Sequence, residues 1–262
     1  MTAALLDATL GRVGRSYLSF ATLVGGSFLV LGRILRAMVP PRFDRDETWR
    51  ALYNIGVKSY PVVIMTAVFV GAIMVLQSAY FVQRTGATGL LGFGVGFSVL
   101  AEIGPILIGL MFSGRVGANN TAELGTMVVT EQIDALRTLA IDPIRYLVVP
   151  RFVAMLVMMT LLMVLGDLFA ILGAAFSADV IIGIDWRVLI GAILDNHFLD
   201  EFFMGVVKAS CFGVSISCIS CHYGLTVTGG AAGVGRAVNA SVVANAAAIF
   251  VINFAVGMLY AL

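Results

Sequence analysis

Charged residues are scarce in this chain of 262 residues, because Asp, Glu, Lys and Arg together make up only 12% of it. Soluble domains carry roughly 25% charged residues, so the chain lacks the polar surface that a water-facing globule requires. The formal net charge is only +1, which argues against nucleic-acid binding, since that function calls for a basic patch. Hydrophobic residues account for 60% of the sequence, and the mean hydropathy is +1.01. The composition therefore predicts a multi-span membrane protein.

Long stretches of the chain contain no Asp, Glu, Lys or Arg at all. A spanning helix needs about 20 apolar residues, and at least two of the charge-free runs are long enough alone. These runs cover residues 59–83, 85–101, 209–235 and 237–262.

We predict an all-α integral membrane protein with five transmembrane helices. A Gly-rich turn at Gly86, Gly89 and Gly92 is predicted to join the first span to the second. The predicted spans cover residues 54–83, 93–119, 146–178, 199–226 and 237–262.

The N-terminal segment resembles a signal peptide, since Arg12 and Arg15 precede an apolar stretch at 17–31. No small-x-small cleavage site follows this stretch, however, and polar or small residues dilute it. We interpret residues 5–38 as an amphipathic helix that lies largely in the membrane interface. A sixth span at this position is the alternative.

The distribution of Lys and Arg predicts the orientation, because cytoplasmic loops carry an excess of these residues. The opposite connections hold only Arg84 and Arg187, and the connection at 179–201 is acidic. We therefore expect a cytoplasmic N-terminus and an outward C-terminus. The chain is predicted to form a single permease domain (1–262), with an N-terminal segment (5–50) and a five-span core (54–262). The basic residues assigned to the cytoplasmic side are Arg33, Arg36, Arg42, Arg45, Arg50, Lys58, Arg115, Arg137, Arg145 and Arg151.

The sequence Cys218-Ile219-Ser220-Cys221-His222 matches C-x-x-C-H, the attachment motif of c-type haem. It falls inside the fourth predicted span, toward the cytoplasmic end, whereas haem c is attached on the exterior face. Free cysteine behaves as a small buried hydrophobic residue, so we interpret this motif as helix packing. We predict no metal site and no cofactor, and a haem-bearing membrane anchor is the alternative.

The glycine-rich segment at 229–236 lacks the Gly-Lys-Ser/Thr ending of phosphate-binding loops, and no other stretch matches an ATP-binding motif. We interpret the segment as a cytoplasmic turn between the last two spans. If the protein is driven by ATP, a separate chain must supply the ATPase.

Three charged residues, Glu102, Asp167 and Lys208, fall within the predicted spans. A charge near the bilayer centre is expensive and usually functional. At about 1.5 Å per helical residue, each lies roughly 10 to 17 Å below the outer surface. Opposite charges at matching depth predict pairing or a polar cavity, and a packing salt bridge without a ligand is the alternative.

A short amphipathic and charged pattern separates the second span from the third. A chain embedded in a bilayer has little reason to keep a compact polar helix on one face unless a soluble protein docks there. We predict such a coupling helix at Glu131, Gln132, Ile133, Asp134, Ala135, Leu136 and Arg137.

Five segments of the chain occur in the order and spacing of the MlaE/YrbE permease family, and the sequence resembles that family over this block. The overall length and the hydropathy layout extend the resemblance to nearly the whole chain. The matching segments are Ala101-Glu102-Ile103-Gly104-Pro105, Ser113-Gly114-Arg115-Val116-Gly117, Thr121-Ala122-Glu123-Leu124-Gly125, residues 131–136 and Asp142-Pro143.

The resemblance implies the homodimeric permease subunit of an MCE-type ABC transporter in the bacterial inner membrane. Such a transporter moves glycerophospholipids between the inner and outer membranes, which bears on outer-membrane lipid asymmetry. The implied partners are a cytoplasmic ABC ATPase dimer, a STAS-domain accessory protein, a periplasmic MCE-domain hexamer and a second copy of the chain.

The resemblance also implies site residues. Glu102 and Lys208 match a polar cluster near the lipid pocket of the family, and Arg236 matches a further basic position. Ala101 stands where the family can carry a basic residue. A lipid requires a roomy apolar pocket, and we predict that it is lined by Leu76, Tyr80, Val99 and Leu100.

We therefore predict a permease subunit that performs no covalent chemistry, with ATP hydrolysis on a partner chain. The alternative is a stand-alone ion-coupled transporter that uses Glu102, Asp167 and Lys208 as a relay. Internal inverted repeats would favour this alternative, and we find none in the sequence.

Overall fold

The computed structural model of the protein describes residues 2–39, 45–85 and 88–262. Throughout these ranges the regular secondary structure is helical, with no β-strand among them. Lipid offers no partner to backbone N–H and C=O groups, so a spanning segment must satisfy these groups within itself, as a helix does. The prediction of an all-α membrane protein is confirmed.

The helices follow one another with short connections. Segments of π-helix, which are frequent at functional sites, occur at Tyr53–Val57, Ser98–Ile103, Ser113–Gly117, Ile144–Val148 and Ala178–Ile182. The α-helices within the described ranges are α1 (Thr2–Ala37), α2 (Arg45–Leu52), α3 (Tyr60–Thr85), α4 (Thr88–Phe97), α5 (Gly104–Phe112), α6 (Ala118–Val129), α7 (Gln132–Thr138), α8 (Val149–Ser177), α9 (Trp186–Asp195), α10 (Leu199–Leu225) and α11 (Gly230–Ala261).

Among the residues that the structure describes, five helical segments are long and apolar enough to cross a membrane. They confirm the predicted number of spans. The turn predicted at 229–236 is wrong beyond its first residues, because α11 begins at Gly230 and the fifth span therefore starts before residue 237. The positive φ values of Gly229 and Gly230, 87° and 65°, confine the turn to these two glycines. The N-terminal helix predicted at 5–38 corresponds to α1, which is not one of the five segments. The spans are Asp46–Tyr80, Leu91–Val129, Ile144–Ile182, Leu199–Leu225 and Gly230–Tyr260.

The second span is longer than the predicted range of 93–119. It runs from Leu91 to Val129 through α4, α5 and α6, which two π-helical segments join end to end. The polar residues Asn120 and Glu123 lie just beyond the predicted end of the span. In the structure Asn120 bonds to Ser220 in α10 and Glu123 pairs with Arg151 in α8, so polar partners on neighbouring helices allow the helix to continue past them.

The predicted Gly-rich turn between the first two spans is wrong for two of its three glycines. Gly89 and Gly92 lie inside α4, and Gly86 lies outside the described residues. A Cβ added at Gly92 would collide with the Cβ of Ala192 in α9. Small residues allow helices in a membrane to approach closely, so Gly92 serves helix packing rather than a turn.

A short helix, α9, occupies much of the connection at 179–201, whose acidic sequence predicts a loop. It begins after Asp185, whose carboxylate accepts a hydrogen bond from the Arg187 N–H (2.8 Å). A side-chain oxygen at this position satisfies one of the free N–H groups at a helix start. Leu189 and Ile193 are buried against α4 and α8.

The first and third spans make very close backbone contact. A Cβ added at Gly71 in α3 would collide with the Ala170 carbonyl oxygen in α8, and one added at Gly173 would collide with the Val68 carbonyl oxygen. Contact at this distance is possible only where a side chain is missing. α3 and α8 therefore pack along each other with their backbones touching.

The bundle has two ends, which we name after the short helices there: the α7 end and the α9 end. Three hydrophobic clusters fill its interior between them. One at the α9 end contains Val75 and Leu91, a central one contains Phe112 and Phe212, and one at the α7 end contains Leu124 and Ile133.

The last span, α11, is the least buried of the five, with 11% of its most apolar window inside the chain. It packs mainly on α10 and α6. Large apolar side chains on its outer face are exposed, including Val243, Phe250, Phe254 and Leu259.

The span count yields a topology prediction. A reporter fused after Leu262 should be active outside the cytoplasm, because five spans separate the C-terminus from a cytoplasmic N-terminus. A reporter inserted after Ala140, in the connection between α7 and α8, is the control and should report the cytoplasm. Cytoplasmic activity of the fusion after Leu262 would mean that α1 also crosses the membrane.

Candidate functional site

An ion pair joins the second and fourth spans inside the bundle. The ammonium group of Lys208 lies 2.7 Å from Glu102 Oε1, and the Lys208 side chain is fully buried. Lys208 Nζ also donates to the carbonyl oxygen of Ala101 at 2.7 Å. The structure thus brings together the two opposite charges that helix counting placed at matching depth.

The local sequence explains why the Ala101 carbonyl is available. In an α-helix this oxygen would accept the N–H of the residue four positions later, which is Pro105, and proline has no N–H. The π-helical segment Ser98–Ile103 also departs from the α-helical pattern at this level. Lys208 donates to the carbonyl that Pro105 cannot serve.

The last span completes the cluster, which sequence reasoning did not find. Asn253 in α11 donates from Nδ2 to Glu102 Oε2 at 2.8 Å. One turn further along, a Cβ added at Gly257 would lie 3.7 Å from Glu102 Oε1. The Glu102 side chain keeps 38% of its surface exposed, so the cluster of Glu102, Lys208 and Asn253 is accessible beside α11.

The third intramembrane charge is not part of this cluster. Asp167 in α8 is 2% exposed, and neither of its carboxylate oxygens has a hydrogen-bonding partner among the described residues. It lies next to Gly104, where an added Cβ would be 2.7 Å from Asp167 Oδ1. A relay of all three charges through direct hydrogen bonds is not formed in this conformation of the described residues.

Of the four residues predicted to line a lipid pocket, two are packed inside the bundle and two are exposed. Val99 and Leu100 are packed inside the cluster at the α9 end, where their side chains are 0% and 6% exposed. Leu76 and Tyr80 are exposed on the outer face of α3 by 45% and 58%. The Arg84 guanidinium lies over the Tyr80 ring, 4.5 Å from its centroid.

A second polar network, also missed from the sequence, lies nearer the α7 end. Asn120 in α6 donates from Nδ2 to Ser220 Oγ (2.8 Å) in α10 and accepts from Arg151 (3.0 Å) in α8. Arg151 also forms an ion pair with Glu123 at 3.1 Å. Thr121 Oγ1 lies 2.9 Å from Ser241 Oγ in α11. The only signal in the sequence was that Thr121 and Glu123 belong to one of the family segments.

The cysteines of the C-x-x-C-H motif are packed in the bundle, as the packing interpretation predicted. Cys218 and Cys221 are buried in the cluster at the α7 end, and Asn120 Nδ2 lies 3.3 Å from Cys221 Sγ. The His222 ring lies against α1, where a Cβ added at Gly26 would collide with it.

The predicted coupling segment forms a short exposed helix, α7, with Glu131 immediately before it. Ile133 is the buried residue of this helix, and it packs into the cluster at the α7 end. Asp134 and Arg137 form an ion pair at 2.9 Å with about two-thirds of each side chain exposed, 67% and 66%. The polar face is therefore open to a partner.

Both ends of α7 are set by residues in the left-handed backbone region. Glu131 has φ of 60° and Ala140 has φ of 57°. After α7, the N–H of Ala140 donates to the Arg137 carbonyl and the N–H of Ile141 to the Leu136 carbonyl. This pair of bonds is a Schellman motif, which ends a helix firmly. The chain therefore enters and leaves α7 with a fixed geometry.

The comparison with protein families decides the identity. The family described as Permease MlaE matches residues 48–259 of the chain. The chain belongs to the MlaE permease family.

Relatives of this MlaE family permease extend over most of its length. It is 38% identical to a probable ABC transporter permease protein of Rickettsia felis. The alignment of 250 residues covers 95% of this chain and 96% of the relative. It is 36% identical to a probable ABC transporter permease protein of Synechocystis, over 90% of this chain and 89% of the relative. It is 30% identical to the chloroplastic protein TRIGALACTOSYLDIACYLGLYCEROL 1 of Arabidopsis thaliana, over 86% of this chain and 65% of that protein.

These matches make the chain a multi-pass membrane subunit of an ABC transporter, with a transport role and not an enzymatic one. The alternative of a stand-alone ion-coupled transporter is not supported by these relatives. The matched range 48–259 contains the Glu102–Lys208–Asn253 cluster, the Asn120 network and α7, and it leaves out α1.

The ion pair between the buried Lys208 and the partly exposed Glu102 of this MlaE family permease yields a stability prediction. Glu102→Gln alone leaves the Lys208 ammonium buried without its carboxylate, so the protein should be destabilised by about 3–5 kcal/mol. The double variant Glu102→Gln, Lys208→Met removes both charges and should recover most of that loss. Thermal unfolding of the purified chain in detergent measures both effects. A Glu102→Gln protein as stable as the parent would show that the pair contributes nothing to stability.

Proposed function

We propose that this MlaE family permease moves glycerophospholipids between the inner and outer membranes of a bacterium, powered by a separate cytoplasmic ABC ATPase. The observation that carries the proposal is the accessible cluster of Glu102, Lys208 and Asn253 beside the exposed face of α11. It offers a charged recognition point surrounded by apolar helix surface. A phospholipid has the matching chemistry, with a charged headgroup on two apolar tails.

The name of one relative supports a lipid as the cargo. The Arabidopsis relative is named after trigalactosyldiacylglycerol, which is a glycerolipid. That name describes the plant protein, and we extend its lipid class, not its headgroup, to this chain.

A second copy of the chain would complete the site. Glu102 is partly exposed beside α11, and a charged group within a membrane faces a bundle interior or a cavity rather than lipid tails. The exposed apolar side chains of α11, such as Phe250 and Phe254, would pack against the second copy. We propose a homodimer in which α11 lies near the two-fold axis and the two clusters face a shared cavity.

Within this cavity we assign different roles to the predicted pocket residues. Glu102 would contact the headgroup, with its carboxylate held from behind by the fully buried Lys208. The exposed side chains of Leu76 and Tyr80 would contact the acyl chains. Val99 and Leu100, which are packed inside the chain, would support the pocket wall from behind in this conformation.

The helix α7 is the proposed docking element for the ATPase. Its exposed residues Glu131, Gln132, Asp134, Ala135 and Arg137 would enter a groove of the ATPase. Ile133 and Leu136, on the other face, contact the bundle.

Motion of α7 can reach the lipid site along the second span. α7 follows α6, which continues through the π-helical segment Ser113–Gly117 and α5 to the segment Ser98–Ile103 that carries Glu102. We propose that closure of the ATPase shifts this span and changes access to the cavity.

Three further assignments follow from membership of the family and complete the proposal. The α7 end would face the cytoplasm of an inner-membrane complex, with the N-terminus inside and the C-terminus in the periplasm. A STAS-domain accessory protein would bind on the cytoplasmic side. A periplasmic MCE-domain hexamer would receive or deliver the lipid at the α9 end.

The docking role of α7 predicts a loss of ATPase association in the double variant Glu131→Lys, Asp134→Lys. A single surface ion pair contributes only about 0–1 kcal/mol, so reversing two charges is the fair test. Co-purification of the ATPase should fall sharply, while membrane insertion stays intact.

The matched control for this test is Asp195→Lys, Asp200→Lys, which reverses two exposed charges near the α9 end and should leave association unchanged. Normal ATPase recovery and turnover with the Glu131→Lys, Asp134→Lys protein would remove the docking assignment.

The lipid role predicts a separation between folding and transport. The Glu102→Gln, Lys208→Met variant should fold and assemble with its ATPase, and yet lose transfer of a fluorescent phospholipid between liposomes that contain the whole complex. Full transfer by the folded double variant would refute a role of the pair in the lipid path, and would leave it as a packing salt bridge.

A further inference from the structure

A cavity of about 790 Å³ lies at the α7 end of the chain. Its walls come from the C-terminal half of α1, the connection between α7 and α8, and the end of α10. Pockets of this size accommodate ligands of several hundred Å³. The lining residues are Gly26, Leu29, Val30, Arg33, Arg36, Ala37, Val39, Ile133, Arg137, Asp142, Pro143, Ile144, Arg145, His222, Leu225 and Thr226.

The charged side chains around this cavity are mostly cationic. Four arginines line it against one aspartate, Asp142. The Asp142 carboxylate accepts the N–H of Ile144 at 3.0 Å, so part of its capacity serves the backbone. Arg137 forms its ion pair with Asp134, which is not a lining residue. The cavity therefore has an excess of positive charge.

Two of the arginines, Arg33 and Arg36, lie three residues apart on α1 and so face the same side of the helix. Like charges at this spacing repel each other. Within the described part of the chain, no carboxylate lies within ion-pair distance of either guanidinium. An anion bound between them would relieve the repulsion.

The same cavity has apolar walls as well. Leu29, Val39, Ile144 and Leu225 line it beside the arginines. Ile144 is the first residue of the third span and Leu225 is the last residue of the fourth. The cavity thus lies at the depth where spans leave the apolar part of a membrane, which is where lipid headgroups lie.

We propose that this cavity binds the phosphodiester headgroup of an acidic phospholipid from the cytoplasmic leaflet, as a resident lipid separate from the transported one. Basic pockets between helices on the cytoplasmic side are typical sites for anionic headgroups, and the planar guanidinium of arginine binds phosphate with two parallel hydrogen bonds. This assignment rests on the proposed orientation, with the α7 end in the cytoplasm, and on no other part of the proposed function.

A lipid bound there would hold α1 against the connection that leads from α7 to α8. α1 is already in contact with this region, since Val30 and Ile34 lie in the same cluster as Ile133. The resident lipid would add a charged link between Arg33 and Arg36 on one side and Arg145 on the other. It would thereby fix the base from which α7 projects.

The test uses the full-length chain alone, in nanodiscs of phosphatidylcholine with a rising fraction of phosphatidylglycerol. Hydrogen exchange of residues 26–39 and 139–146 is the readout, and it should slow as phosphatidylglycerol increases. In the variant Arg33→Gln, Arg36→Gln, half-maximal protection should need roughly 30 times more phosphatidylglycerol, at about fivefold for each basic residue near an anionic surface.

The control variant is Arg84→Gln, Arg187→Gln, which removes the same charge from the other end of the bundle and should behave as the parent. Arg33→Lys, Arg36→Lys keeps the charge and loses the paired hydrogen bonds, so it should lose part of the protection. Should Arg33→Gln, Arg36→Gln fail to fold, the parent itself supplies the test, because added salt should weaken the protection by screening.

Three kinds of outcome would overturn the proposal. One is equal protection in the parent and in Arg33→Gln, Arg36→Gln, or protection in the parent that salt does not affect. Another is equal protection by inorganic phosphate in pure phosphatidylcholine nanodiscs, which would assign the cavity to a soluble anion. The third is protection that appears only when the ATPase is added, which would assign it to a protein contact. The assay involves no transport, so failure of the lipid-transport proposal would leave its result unchanged.

Discussion

The burial of one ammonium group, that of Lys208, is the constraint on which the arrangement of the inner helices depends. A lysine at the centre of a membrane costs roughly 3 kcal/mol even on the milder scales, so its three hydrogen atoms need acceptors inside the bundle. Glu102 supplies one, and the Ala101 carbonyl that Pro105 leaves without an α-helical donor supplies another. Both acceptors belong to the second span. The position of the fourth span against the second is therefore fixed by chemistry as well as by packing.

Much of the fold could be predicted because its signal is compositional. Charge-free runs marked the spans, and depth counting placed Glu102 level with Lys208. The same signal concealed Asn253, an uncharged residue within a long apolar run that holds the other oxygen of Glu102. It also concealed the network around Asn120, whose members are mostly uncharged. Hydrogen bonds between distant helices depend on tertiary packing, which the pattern of a single helix does not contain.

Which side chains of the second span are exposed was harder to predict, because this span is not one regular helix. Each residue of an α-helix turns the chain by about 100°, so an extra residue in a π-helical segment rotates everything beyond it relative to an ideal projection. The segment Ser98–Ile103 contains both Val99, which is packed inside, and Glu102, which is partly exposed. A helical projection with a constant period assigns such residues to the wrong face. The exposed pair on α3, Leu76 and Tyr80, lies in a regular helix.

The backbone contact between α3 and α8 restricts how such a transporter can move. With Gly71 against the Ala170 carbonyl and Gly173 against the Val68 carbonyl, neither helix can slide or roll on the other without a steric clash. The first and third spans therefore form one rigid unit. Relative motion of helices is easier at interfaces where flexible side chains lie between them, and α11, the least buried of the five spans, is held least by its own chain.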